Sequence, residues 1–204
     1  LFGLLLLVLL GLNLRPLLTS VGPLTDELIN LTDASYSSIS LLTTLPILMI
    51  GLLALFAGRL TMTLGYKRGI SFGLLILAVG LAIRVYPPTT VLLLGSALIG
   101  GFGIALLHII IPELTKHQYR NRLGLVTGLW SAALMGGAAL GAVLTPMLAD
   151  ALAERYYALA AWSIFAILTL LVWLLPQNQV PAADIPPRHL LLKAFKYPRA
   201  WFLG

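Results

Sequence analysis

A chain of 204 residues that is 59% hydrophobic and only 10% charged is not a water-soluble globule, in which about a quarter of residues carry charge. Its net charge of +6 does not read as nucleic-acid binding, because the basic residues fall in short clusters between apolar runs and form no stripe on a polar face. No cysteine is present, so neither a disulfide framework nor a thiolate metal site is available.

Six apolar runs have spanning length, at about 1–24, 37–60, 69–86, 91–112, 123–148 and 157–175. Each predicts a helix, because in lipid no other local structure satisfies its own backbone polar groups. The expected fold class is therefore all-α, a polytopic transmembrane helical bundle over residues 1–175. Residues 1–10 have no basic flank and no small-residue cleavage site, and read as part of the first spanning helix, not as a signal peptide.

The first run holds the most informative stretch, Gly11 to Leu24. Arg15 lies eleven residues before Asp26, roughly 16 Å deep in a hydrocarbon core about 30 Å thick. An arginine there costs about 3 kcal/mol or more and is expected to face a wet cavity or a partner. Pro16 and Pro23 interrupt the same helix and free backbone carbonyls that neighbours or cavity water must satisfy. Arg15 shares a helical stripe with Gly11, Thr19 and Gly22, so small residues, a hydroxyl and a guanidinium lie together where a small anion or a planar solute could dock. The alternative is a salt bridge to a carboxylate on a helix beyond these six runs, or a snorkelling side chain. Asn13 points roughly 160° away on an ideal helix and, with Ser20, is placed to bond a neighbouring helix, unless the kink at Pro16 turns it back toward the site.

The joints alternate in charge. Asp26, Glu27 and Asp33 follow the first run; Arg59, Lys67 and Arg68 the second; Pro87-Pro88 the third; Glu113, Lys116, Arg120 and Arg122 the fourth; Asp150, Glu154 and Arg155 the fifth. Lys and Arg gather after the even-numbered runs, so the positive-inside rule places those joints, and both termini, in the cytoplasm. Trp162, Trp173, Tyr156 and Tyr157 fall near helix ends, where amphipathic rings favour the membrane interface.

Between the joints, Thr43, Thr44 and Pro46 form a polar kink in the second helix. His108, about a turn from the expected end of the fourth helix, is either a satisfied structural group or a proton relay. The fourth run carries Gly95, Gly100, Gly101 and Gly103, and the fifth Gly124, Gly128, Gly136, Gly137 and Gly141, a pattern expected first of all to pack helices closely. Trp130 and Ser131 are placed to line a cavity or to pack in the core. Arg15, Thr19, Asn13, Trp130, Ser131 and Thr43 make up the candidate substrate-binding set.

All seven acidic residues map to helix ends or joints, so no titratable carboxylate lies inside the six runs to couple transport to protons. There is no H-E-x-x-H, no G-x-S-x-G and no phosphate-binding glycine loop, and the three histidines are isolated; enzymatic activity, a metal and a cofactor are not expected. Residues 176–197 read as a cytoplasmic Pro/Ala/Gln linker with a basic segment containing Arg188, Lys193 and Lys196, and 198–204 as the start of a seventh transmembrane helix or else an interfacial helix. Glycine-rich centres and prolines in the first and fourth helices are compatible with a three-plus-three repeat.

The joint GRLTMTLGYKRG resembles the helix-two-to-three signature of the major facilitator superfamily, Gly-x-Leu-Ala-Asp-Arg-x-Gly-Arg-Lys. Gly58, Leu60, Gly65 and Lys67 match it, while Met62, Thr63 and Tyr66 replace its Asp and two Arg. The fourth-helix arginine of many members has no counterpart beside Gly101 and Gly103. LNLRPLLTSVGPL from Leu12, LLTTLP from Leu41 and GLWSAALMGG from Gly128 look like the cyanate transporter branch, whose relatives include a nitroimidazole exporter. The resemblance implies the N-terminal six-helix half of a bacterial inner-membrane carrier of a small anion or planar heterocycle. Such a carrier works by alternating access and needs a C-terminal six-helix half to complete its site. Arg15 would face the anion, Thr19 would be its hydroxyl neighbour and Trp130 a cavity wall. A non-transporting membrane scaffold or polytopic enzyme is the alternative class.

Overall fold

The structure is a computed structural model that describes residues 2–175. The expected linker and seventh helix lie outside these residues. Among the described residues, six helical spans are long and apolar enough to cross a membrane, and no strand occurs.

The first span is broken where its prolines require. Helix α1, Phe2–Leu14, stops because Pro16 has no N–H and its ring crowds the carbonyl four residues earlier, on Leu12. The chain restarts as α2, Pro16–Thr19, with proline at its first position, where the missing donor costs nothing. It leaves the helix again at Ser20 and Val21, makes a single 3-10 turn over Gly22–Leu24, and ends as α3, Thr25–Thr32, with Asp26 and Glu27 in the first turn, where the helix dipole favours carboxylates. The second span, α4, covers Tyr36–Ala54; Ser35 caps it, its hydroxyl accepting the N–H of Ser38 at 3.2 Å.

Three expected boundaries of the second, third and fourth spans move. Helix α4 ends at Ala54, before the expected 60, and a turn at Leu55 and Phe56 leads into α5, Ala57–Ala82, which begins before the expected 69 and closes with a 3-10 turn over Ile83–Val85. Inside α5 the chain bends at Gly65 (φ 67°, ψ 169°), a backbone region open essentially to glycine alone. Helix α6 runs Thr90–Gln118 straight through Pro112, so His108 lies ten residues, roughly 15 Å, from its end and not the single turn expected. Neighbouring spans make an internal proline tolerable. Helix α7 spans Leu123–Ala151 and α8 Tyr157–Leu174.

Glycines bring the helices into backbone contact, as small residues do in membranes. A Cβ at Gly80 would strike the backbone of Gly100, and one at Gly103 that of Gly73 and Leu77, locking α5 to α6. Gly101 receives Pro46 of α4; Gly137 and Gly141 of α7 receive Leu12, Pro16 and Thr19 of the first span. By contrast, Gly95, Gly124 and Gly128 face open space. At the end of the bundle carrying the acidic joints, Arg155 donates to Glu27 at 2.7 Å and to Asp150, tying the first span to the α7–α8 joint.

The tryptophans correct the interfacial expectation. Trp162 is buried and its indole N–H donates to Thr145 Oγ1 at 3.0 Å; Trp173 is buried and donates to the Lys67 carbonyl at 3.3 Å. Both rings face inward because α7 and α5 supply acceptors there.

Candidate functional site

Arg15 stands in the break between α1 and α2 (φ −96°, ψ −30°). Its carbonyl accepts from the N–H groups of Leu18 (3.0 Å) and Thr19 (3.1 Å) and from the Thr19 hydroxyl (3.2 Å), so the backbone at this point is held from the α2 side. The side chain is half-buried. Its Nε is buried, and among the described residues it has no hydrogen-bond partner and Arg15 makes no ion pair.

Two rings from other spans accompany it. His108 of α6 holds its Nδ1 3.2 Å from the Ile104 carbonyl. Its ring meets Trp130 of α7 edge-on, with centroids 6.4 Å apart at 70°, an arrangement that aromatic quadrupoles favour. Trp130 is 8% exposed and lies over Gly11, one turn before Arg15; a Cβ at Gly11 would come within 3.3 Å of the indole. The first, fourth and fifth spans thus contribute the guanidinium of Arg15, the imidazole of His108 and the indole of Trp130, with the two rings in contact and the indole against the turn that precedes Arg15. Chemically, the set can bind an anion or a lone-pair-rich planar group.

The other residues of the candidate set have separate engagements. Thr19 is half-buried, bonds the Arg15 carbonyl and packs on Gly141, so it shapes the break. Asn13 does not turn back toward Arg15. It is 2% exposed, and its amide donates to Thr169 Oγ1 of α8 at 2.6 Å and to the Leu9 carbonyl at 2.9 Å. A buried amide with both donors engaged is a helix-to-helix tie, the engagement with a neighbouring helix that its side of the helix predicts. Ser131 is exposed, about 100° around α7 from Trp130. Thr43 is half-buried and returns its hydroxyl to the Ser40 carbonyl at 2.9 Å. Among the described residues, no hydrogen bond ties Ser131 or Thr43 to Arg15.

Sequence reasoning passed over Arg84. It is 1% exposed; its Nε donates to Ser96 Oγ at 3.0 Å and its Nη1 to the Leu17 carbonyl at 3.3 Å. Its signal was present: it is a lone cation beside the Pro87-Pro88 turn, at the end of the third run opposite the basic joints.

Comparison with known proteins places these residues in a family context. The sequence matches the Major Facilitator Superfamily over residues 1–204. It is 42% identical over 201 residues to the cyanate transport protein CynX of Escherichia coli (strain K12), covering 98% of this chain and 52% of that protein. It is 32% identical over 204 residues to the 2-nitroimidazole transporter of Escherichia coli (strain K12), covering 97% of this chain and 52% of the relative. An uncharacterized transporter of Bacillus subtilis (strain 168), YycB, is 33% identical over 169 residues, covering 82% of this chain and 42% of the relative. The chain spans about half the length of the curated relatives it matches.

Proposed function

Because this chain belongs to the major facilitator superfamily, we propose that it forms one half of a multi-pass carrier that moves a small anion of the cyanate type across the bacterial inner membrane by alternating access. The reading rests above all on one observation, the buried Arg15 Nε that has neither a hydrogen-bond partner nor an ion pair among the described residues, set at a break in the first span one turn after the Gly11 that Trp130 packs on. A cation at that depth is costly unless something negative or strongly polar visits it. The similarity to CynX supports a linear anion as the visitor. In this reading a second six-helix half supplies the facing wall, and the basic joints and both termini lie in the cytoplasm.

A second solute class has its own support. The half-buried His108 ring, backed edge-on by Trp130, suits stacking by a planar heterocycle, and the 2-nitroimidazole transporter is a relative.

The test uses the full-length protein with Arg15→Lys and Arg15→Gln, normalised for membrane insertion. Loss of a charge-assisted bond to the solute is expected to weaken cyanate or nitrate binding by at least about tenfold. Unchanged anion binding in Arg15→Gln would remove the anion reading, and retained 2-nitroimidazole binding in that variant would favour the second class.

A further inference from the structure

We propose that Arg84 is a positioning residue: its buried guanidinium replaces the backbone donor missing at the second break of the first span and so holds Arg15 in register. In an unbroken helix the Leu17 carbonyl would accept the N–H of Val21. Here α2 ends at Thr19, the N–H of the capping Ser20 returns to Pro16, and the next backbone bond runs from Leu24 to Val21. The Leu17 carbonyl therefore loses its helical donor while Leu17 itself is fully buried, where an unpaired carbonyl is costly. Arg84 Nη1 stands 3.3 Å from it.

The same guanidinium binds a third element. Its Nε donates to Ser96 of α6 at 3.0 Å, and Ser96 passes its own proton to the Leu93 carbonyl at 2.6 Å. Spans one, three and four are thereby joined through one planar group, whose adjacent N–H donors reach two acceptors at once; a lysine ammonium has no such fork. What is held is short. Helix α2 has four residues, too few to keep its direction through its own hydrogen bonds, and Arg15 lies at its start, two residues before Leu17. Release of Leu17 frees α2 to shift and, through the Leu18 and Thr19 N–H groups that hold the Arg15 carbonyl, moves Arg15 within the break.

The experiment uses the full-length protein and a single reporter thiol. Gly22 lies just beyond the break, is exposed, and a Cβ there meets open space. These 204 residues contain no cysteine, so Gly22→Cys, with any cysteine of the other half replaced, reports on the break through its rate of maleimide labelling in membranes. Arg84→Met and Arg84→Lys are each expected to change that rate by at least about threefold, as loss of one buried hydrogen bond implies. Leu152→Cys, at the same end of the bundle, should keep its rate. An unchanged rate at Gly22, or an equal change at Leu152, overturns the proposal. Should the Arg84 variants fail to insert, Ser96→Ala decides in the same way, since it removes one of the two acceptors and leaves the charge.

A second readout rests on the transport reading above: the cyanate dissociation constant should rise in Arg84→Lys while the maximal rate per inserted protein falls less. If the parent protein binds no anion, the transport reading fails and the labelling rates still judge Arg84.

Discussion

The carbonyl of Leu12 occupies the place that a Cβ would take at Gly137. It is the carbonyl that Pro16, four residues on, deprives of its helical donor. The glycine therefore does two things, letting α7 reach the broken span and turning a C–H toward that oxygen. Gly137→Ala should push the two helices apart and cost about 1–3 kcal/mol. Gly124→Ala, where a Cβ meets open space, should change stability by less than about 0.5 kcal/mol. Apparent melting temperatures in detergent check the pair.

Gly65 makes a different demand. Nothing lies within reach of a Cβ there, yet its φ of 67° and ψ of 169° belong to a region that side chains exclude. Gly65→Ala should lower stability by about 1–3 kcal/mol through backbone strain alone. Gly51→Ala, equally open but within α4, should be neutral or slightly stabilising, and thermal unfolding of both variants separates strain from crowding.

The bond from Asn13 to Thr169 predicts a coupling. Asn13→Ala, Thr169→Val and the double variant should form a cycle with an interaction free energy of about 0.6–1.7 kcal/mol. Because the amide is spent on α8, Asn13→Ala should leave anion affinity within about twofold of the parent. A much larger loss of affinity in this variant would return Asn13 to the binding wall.

Arg155 supplies a pH prediction. Its hydrogen bond to Glu27, and then that to Asp150, raise its pKa above arginine's ordinary value. A group whose folded value is raised contributes its stabilisation in full below the unfolded value and loses it only as pH rises through the folded one; for this arginine both lie above the working range. Arg155→Gln should therefore lower the melting temperature by the same small amount at about pH 7 and about pH 10. Because the pair is exposed, that difference should shrink in about 1 M salt.

Much of the bundle was legible in the amino-acid order, because hydropathy and a proline's missing donor are properties of one segment. Six apolar runs become six spans, the breaks fall at Pro16 and Pro23, and the glycines of the fourth and fifth runs include those that seat Pro46, Leu12 and Thr19. Even Gly65, matched to a family signature, has its physical reason in its own backbone.

What the chain pattern left open is the partner of each polar group, since that depends on which helix stands opposite and at what height. Pro112 predicts an end that α4 and α5, packed against α6, make unnecessary, and His108 moves inward to meet Trp130. Trp162 and Trp173 look like interface residues until α7 and α5 present them with acceptors, and only the packing names α8 as the helix that Asn13 bonds. Arg84 reads as a turn-flanking cation until folding carries a broken carbonyl, 67 residues earlier in the chain, to its guanidinium. Sequence determined that the first span must break around a buried charge; only the packing of the other spans decided which side chains hold that break and which stay free to meet a solute.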